Sequence, residues 1–234
     1  MEVNRPLREE FASTLAGDPW NIALLQEAPP RWLRPLCTAA RTHGASALTS
    51  RNFGAALRAV AAELNPDLVA SNEGGSNQLL VRPPWRIEEV RRLTLTFLPE
   101  RRRLLWARLR GPEDRVLAVG NLHATANDVV GAARDVELAA ERSLAWADGA
   151  PLIFGGDFNL RAASEPEAYE MLRERFGLAP PTGPRVLDHV LVRGLELVEP
   201  PRQLPASWRD WREPDGRLVR LSDHEAVAAV LGMG

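Results

Sequence analysis

The chain has 234 residues, of which 45% are hydrophobic and 26% charged, a globular composition that excludes a disordered chain. Its formal net charge of −2 gives no overall pull toward nucleic acid or acidic membranes, and all 29 basic residues are arginine, which excludes chemistry built on an active-site lysine. A lone cysteine, Cys37, excludes an internal disulfide and any cysteine-built zinc or iron–sulfur centre.

No apolar run is long enough to span a bilayer, and no charged segment followed by an apolar one opens the chain, so a cytoplasmic protein is expected. Strand-like and helix-like segments alternate without repeats or low-complexity linkers, which predicts one α/β domain over residues 1–234.

In chain order, Pro6 suits a first helical turn, Leu7, Phe11 and Leu15 form one stripe, and Gly17 stops the helix. The apolar run 22–25 reads as a buried strand that delivers Gln26 and Glu27 before Pro29 and Pro30. Helices are expected over 31–43 and 53–64, with Cys37 a buried structural thiol in the first and His43 a favourable cation at its end. Residues 72–77 read as a turn and 79–81 as a strand. Leu93, Leu95 and Phe97 alternate with Arg92, Thr94 and Thr96, and after a turn at Pro99 a second alternating run follows over 104–109, which predicts a hairpin. Strands are expected over 116–122, 151–154, 185–192 and 226–231, helices over 127–148 and 165–176, and irregular chain over 200–217.

Chemically capable residues recur at the ends of these strands: Glu27, Asn121 and His123, Asp157 and Asn159, Asp188, and Asp223 with His224. Strand ends are where a rigid scaffold converges side chains on one point. The types suit phosphoester hydrolysis. Glu27 and Asp223 can supply the oxygens a hard cation takes, Asp157 can deprotonate a water, and Asn159, His123 and His224 can donate to charge growing on phosphorus. Asp188 can hold the imidazole of His224 and raise its pKa. Singly, each has a plainer reading: Glu27 as an exposed strand-end carboxylate, Asp157 to Asn159 as an ordinary turn, and His189 as structural. The arginines at 91, 92, 101–103, 108 and 110 suit either a phosphate-tracking ribbon or a solvated hairpin face. Trp208 and Trp211 can stack bases or simply pack under a loop.

Leu25, Gln26 and Glu27, then Asn121 to His123, Gly156 to Asn159, Leu187 to His189, and Ser222 to His224 resemble, in order, the motifs of the endonuclease/exonuclease/phosphatase superfamily, with its deoxyribonuclease-I-like fold. That resemblance implies a four-layer α/β/β/α sandwich of two mostly antiparallel sheets flanked by helices. It implies a phosphoester hydrolase dependent on Mg²⁺ or Mn²⁺. Glu27 would bind the metal, with Asp223 at or next to it. Asp157 would activate water, Asn159 and His123 would face the phosphate, and His224 would stabilise the transition state, oriented by Asp188. The substrate class is an open choice. The leading reading is a nuclease acting on a phosphodiester of nucleic acid, the alternatives a phosphatase or lipid phosphodiesterase, or a degenerate member without activity. Family members usually begin with a strand ending in a metal-binding Asn. Here Asn4 is either that ligand or, on the favoured reading, the cap of the first helix, in which case that strand and that ligand are missing from this chain.

Overall fold

The computed structural model describes residues 6–49, 75–98 and 100–233. Its elements run α1 (Arg8–Gly17), β1 (Ile22–Ala28), α2 (Leu33–Ala40), β2 (His43–Leu48), β3 (Ser76–Val81), β4 (Arg86–Thr96), β5 (Arg102–Arg110) and β6 (Val116–His123). They continue with α3 (Val129–Ala147), β7 (Leu152–Asp157), α4 (Pro166–Phe176), β8 (Asp188–Arg193), β9 (Glu196–Gln203), β10 (Asp210–Arg212), β11 (Leu218–Arg220) and β12 (Val227–Gly232). Asn4 and the helix expected over 53–64 lie outside the described residues.

Two sheets carry the fold, one of three strands in the order β1-β3-β2 and one of five in the order β4-β5-β6-β7-β8. All their pairings are antiparallel except β6 with β7, which α3 connects as a crossover. Period-two alternation explains the layering. Leu105, Ala107, Leu109, Leu117, Val119 and Ile153 face Ala45, Ala47, Leu79 and Val81 between the sheets. The alternate residues Leu104, Trp106, Ala118, Leu122 and Phe154 turn outward against Ala132, Val136, Ala139 and Ala140 of α3 and against Leu172 and Phe176 of α4. The small side chains of α3 let that helix lie close to the sheet. On the far side, Leu80 packs with Leu15 and Leu36 beneath α1 and α2. The result is the expected α/β/β/α sandwich. The hairpin β10–β11 and the antiparallel pair β9–β12 complete it, and no described helix is long and apolar enough to cross a membrane.

Several element boundaries differ from expectation for local reasons. The helix over 31–43 is a 3₁₀ turn, Pro30–Trp32, followed by α2. Arg41 stops it in a left-handed conformation (φ 55°), and Thr42 N–H closes on Cys37 C=O at 2.9 Å. His43 therefore opens a strand and is no helix-end cation. That strand, β2, escapes a sequence reading because Gly44 to Leu48 contains no β-branched or aromatic residue. Ser76 and Asn77, expected in a turn, are fully buried strand residues, anchored by Ser76 Oγ to Ala28 C=O and Asn77 Nδ2 to Arg103 C=O, each at 2.7 Å. The stretch 200–217 includes the end of β9 and all of β10.

The sheets are pinned where their strands approach the site. Asn121, fully buried on β6, accepts from Gln26 Nε2 at 2.7 Å and donates to Leu25 C=O and Gln78 C=O at 3.2 and 2.9 Å. Three elements of two sheets thus meet on one side-chain amide.

Candidate active site

Glu27 is re-aimed by its backbone. The β1–β3 register shifts between Leu25 and Ala28, and Glu27 sits in the left-handed region at φ 55°. A bulge at a strand end turns a side chain out of the pleat, and such strain concentrates at functional sites. The Glu27 side chain is 73% exposed, with Oε1 at 3.6 Å from His123 Nδ1.

His123 and Asp157 close the parallel β6–β7 pair as register partners, and Asp157 is likewise paired with Asp188 across β7–β8. Three adjacent strand ends therefore bring three of the expected residues together. Asp157 Oδ2 lies 3.5 Å from His123 Nε2 and 4.0 Å from His224 Nδ1, and that same Nδ1 meets Asp188 Oδ2 at 2.7 Å. Among the described residues, the one trio of carboxylates or imidazoles whose ligand atoms lie within 4.8 Å of one another is Asp157, Asp188 and His224.

The turn after β7 is held by its own side chains. Asn159, also at positive φ (52°), donates its N–H to Asp157 Oδ1 at 2.9 Å and its Nδ2 to Ala124 C=O at 3.1 Å. Gly156 makes the turn possible, since φ is +125° and an added Cβ would meet Leu122 O at 2.0 Å. Gly156→Ala is expected to destabilise the fold by at least about 2–3 kcal/mol through strain alone, read as a lower denaturation midpoint. A midpoint equal to wild type would show that β6 gives way freely there.

His224 and Asp223 lie in the loop before β12. His224 N–H bonds Ser222 Oγ at 3.2 Å and Asp223 Oδ1 at 3.1 Å. Arg209, with only 11% of its side chain exposed, braces this loop through Nη1 to the carbonyls of Ser222 and Asp223 and Nη2 to Glu225. Asp223 thus neighbours His224, and it is outside the close trio, as is Glu27.

Electrostatics separate the two histidines. His224 is pushed up to about 9, first by its hydrogen bond to Asp188, against partial burial, with Asp157 and Asp223 adding to the rise. His123 is pushed down to about 3, first by burial and then by Arg102 and His224. Asp157 is raised to about 6 by burial and by repulsion from Asp188 and Glu27, against its bond from Asn159 N–H. At neutral pH the site therefore holds one cationic and one neutral imidazole beside an ionised Asp157.

His189, expected to be structural, is buried against Tyr169, with its Nε2 2.7 Å from the phenol oxygen. Trp208 takes the packing role, donating Nε1 to Asp18 Oδ2 at 2.5 Å under α1. One arginine at the site, Arg209, was not singled out by sequence, and a second, Arg102, read there as part of a phosphate ribbon or a solvated face, is instead buried. Arg209 carries no sequence signal, since its bonds span 13–16 residues. Arg102 does carry one: it is two residues before Leu104 and four before Trp106, in phase with buried positions, and is itself buried. Its Nη1 lies 3.2 Å from His123 Nδ1 and its Nη2 2.8 Å from Glu100.

The family model for the endonuclease/exonuclease/phosphatase family matches residues 4–224. No curated protein matches the chain by sequence. Among solved structures, the Bacteroides thetaiotaomicron mannosyl-6-phosphatase is similar at 15% identity, covering 96% of this chain and 90% of that one with a TM-score of 0.71. A functionally unknown conserved protein from Enterococcus faecalis is similar at 15% identity, over 97% and 91% of the two chains, with a TM-score of 0.71. Humanized D. rerio TDP2 is similar at 16% identity, over 97% and 90% of the chains, with a TM-score of 0.63.

Proposed function

The chain belongs to the endonuclease/exonuclease/phosphatase family, and from that premise we propose that it hydrolyses a phosphodiester using a divalent cation, Mg²⁺ or Mn²⁺, and a water activated by Asp157. The observation that carries this reading is the meeting of Asp157, Asp188 and His224 around one imidazole nitrogen.

The donor set fits a hard cation. Carboxylates gather closely enough that Asp188 and Glu27 help hold the Asp157 proton on to about pH 6, a repulsion that a dication relieves. Glu27, bulged outward at the edge of the cluster, is the proposed anchor, with Asp223 at or beside it. A bound dication supplies charge neutralisation at the phosphoryl oxygens and at the leaving oxygen. The chain's own residues do the rest. Ionised Asp157 takes a proton from the attacking water as its oxygen bonds to phosphorus and the opposite P–O ester bond breaks. His224, kept cationic by Asp188, stabilises the charge on the phosphoryl oxygens. His123 and Asn159 orient the phosphate.

A nuclease is the favoured member of the class. Arg92, Arg101 and Arg103 gather near the Arg102 end of the hairpin, where Arg103 is pushed down first by burial and then by Arg101 and Arg92, a cationic cluster suited to a polyanion. One observation favours a second reading, an ester carried on an apolar or lipid group: Phe97 and Leu98, at the tip of the same hairpin, are 73% and 70% exposed.

Bis(p-nitrophenyl) phosphate and single-stranded DNA are expected to be cleaved with Mg²⁺ and not after EDTA treatment, and the ion alone is expected to raise Tm. DNA cleavage that weakens steeply with added salt supports the nuclease reading, whereas turnover of a lipid phosphodiester in vesicles with little salt dependence supports the second. No turnover of any diester with either ion, together with no Tm shift, would overturn both.

A further inference from the structure

The surroundings of His123 make opposite demands on its two ring nitrogens. A guanidinium is a donor on every nitrogen and keeps its charge at all accessible pH, so Arg102 Nη1, 3.2 Å from His123 Nδ1, needs a bare Nδ1. Glu27 Oε1, 3.6 Å from the same nitrogen, would favour a proton there. The two neighbours are not equal contestants. Arg102 is closer, its side chain is 8% exposed, and Glu100 fixes its other terminal nitrogen at 2.8 Å. Glu27 is 73% exposed and its carboxylate is solvated. On the far side of the ring, His123 Nε2 faces Asp157 Oδ2 at 3.5 Å, an acceptor that matches a protonated Nε2.

We propose that Arg102 is a positioning residue that keeps the His123 proton on Nε2, so that the imidazole presents an N–H donor to the cleft beside Asp157. The His123 N–H and the His224 imidazole then flank the same carboxylate, at 3.5 and 4.0 Å from Asp157 Oδ2. The use of that donor on a phosphoryl oxygen rests on the phosphoesterase reading above; the position of the proton does not.

The decisive measurement is a long-range ¹H–¹⁵N correlation on metal-free, substrate-free protein with ¹⁵N-labelled histidine, which distinguishes protonated from bare ring nitrogens. In the wild type, His123 Nδ1 is expected bare and Nε2 protonated. Arg102→Lys, which retains a donor, is expected to keep that pattern. Arg102→Met, similar in length and without a donor, is expected to move proton density to Nδ1 toward Glu27. In turnover, Arg102→Met should lower kcat about ten- to a hundredfold with KM changed less than threefold, and Arg102→Lys should recover most of the loss. A protonated Nδ1 in the wild type, or a wild-type pattern in Arg102→Met, would overturn the proposal. If Arg102→Met does not fold, the wild-type and Arg102→Lys spectra decide alone, a protonated Nδ1 in either one overturning it. A protein with the expected tautomer and no diesterase activity would sink the functional reading and leave this assignment standing.

Discussion

Replacing His224 with alanine is expected to lower diester turnover by about a hundred- to a thousandfold or more, while the melting temperature falls by only a few degrees through loss of the half-exposed pair with Asp188. The two halves of that expectation have separate causes. The side chain is 38% exposed and belongs to no hydrophobic cluster, so its removal opens no core cavity. Its positive charge, by contrast, stands within reach of whatever occupies the space beside Asp157. The pH dependence supplies a second signature. A group raised to about 9 contributes its stabilisation fully below its ordinary value of 6.5 and loses it as pH rises through about 9. The imidazolium is itself lost over that range, so the rate should fall on the basic side near pH 9, and that limb should vanish in His224→Ala. Asp188→Asn removes the largest cause of the raised value, so in that variant the limb should move down. Turnover within tenfold of wild type in His224→Ala would remove this imidazole from the chemistry.

Asp157→Asn is expected to abolish turnover and to stabilise the fold, a combination that identifies a functional group held at a structural cost. Its pKa is raised from 3.8 to about 6, with the side chain 9% exposed. The folded state thus holds its proton after the unfolded state has released it. Stability falls as pH rises from about 4 to about 6, and above that the penalty is complete, on the order of 3 kcal/mol from about two pKa units. Asparagine keeps an oxygen to accept the Asn159 N–H and carries no charge, so at pH 7 the variant should melt several degrees higher. The wild-type rate should fall on the acid side as Asp157 takes up its proton, and Mg²⁺ should move that limb below pH 6 by favouring the ionised form. A variant that is less stable than wild type at pH 7, or that retains a tenth of the activity, would contradict this account of the carboxylate.

The layered fold was legible because period-two alternation and apolar runs record burial directly, and β5, β6 and β7 are buried on both faces. Convergence of His123, Asp157, Asp188 and His224 was legible because each sits at a strand end or just before a strand, and neighbouring strands align their ends. What escaped depends on long-range contact. Nothing local in His43 to Leu48 favours a strand; pairing with β3 does. Arg209 is indistinguishable in sequence from any surface arginine, and its role exists only once the loop before β12 folds across it. Asn121 shares a strand with His123, yet it bonds backbone of the opposite sheet and serves to join the two sheets.

That asparagine has a consequence for how the protein responds to its medium. The joint among Gln26, Asn121, Leu25 and Gln78 consists of amides and carbonyls alone. None of these groups gains or loses a proton between acid and alkali, and dissolved salt does not screen them as it screens ions. The joint between the sheets behind Asp157 therefore keeps its dimensions while the residues in front of it change charge, and a rate profile taken across that range carries no contribution from this joint.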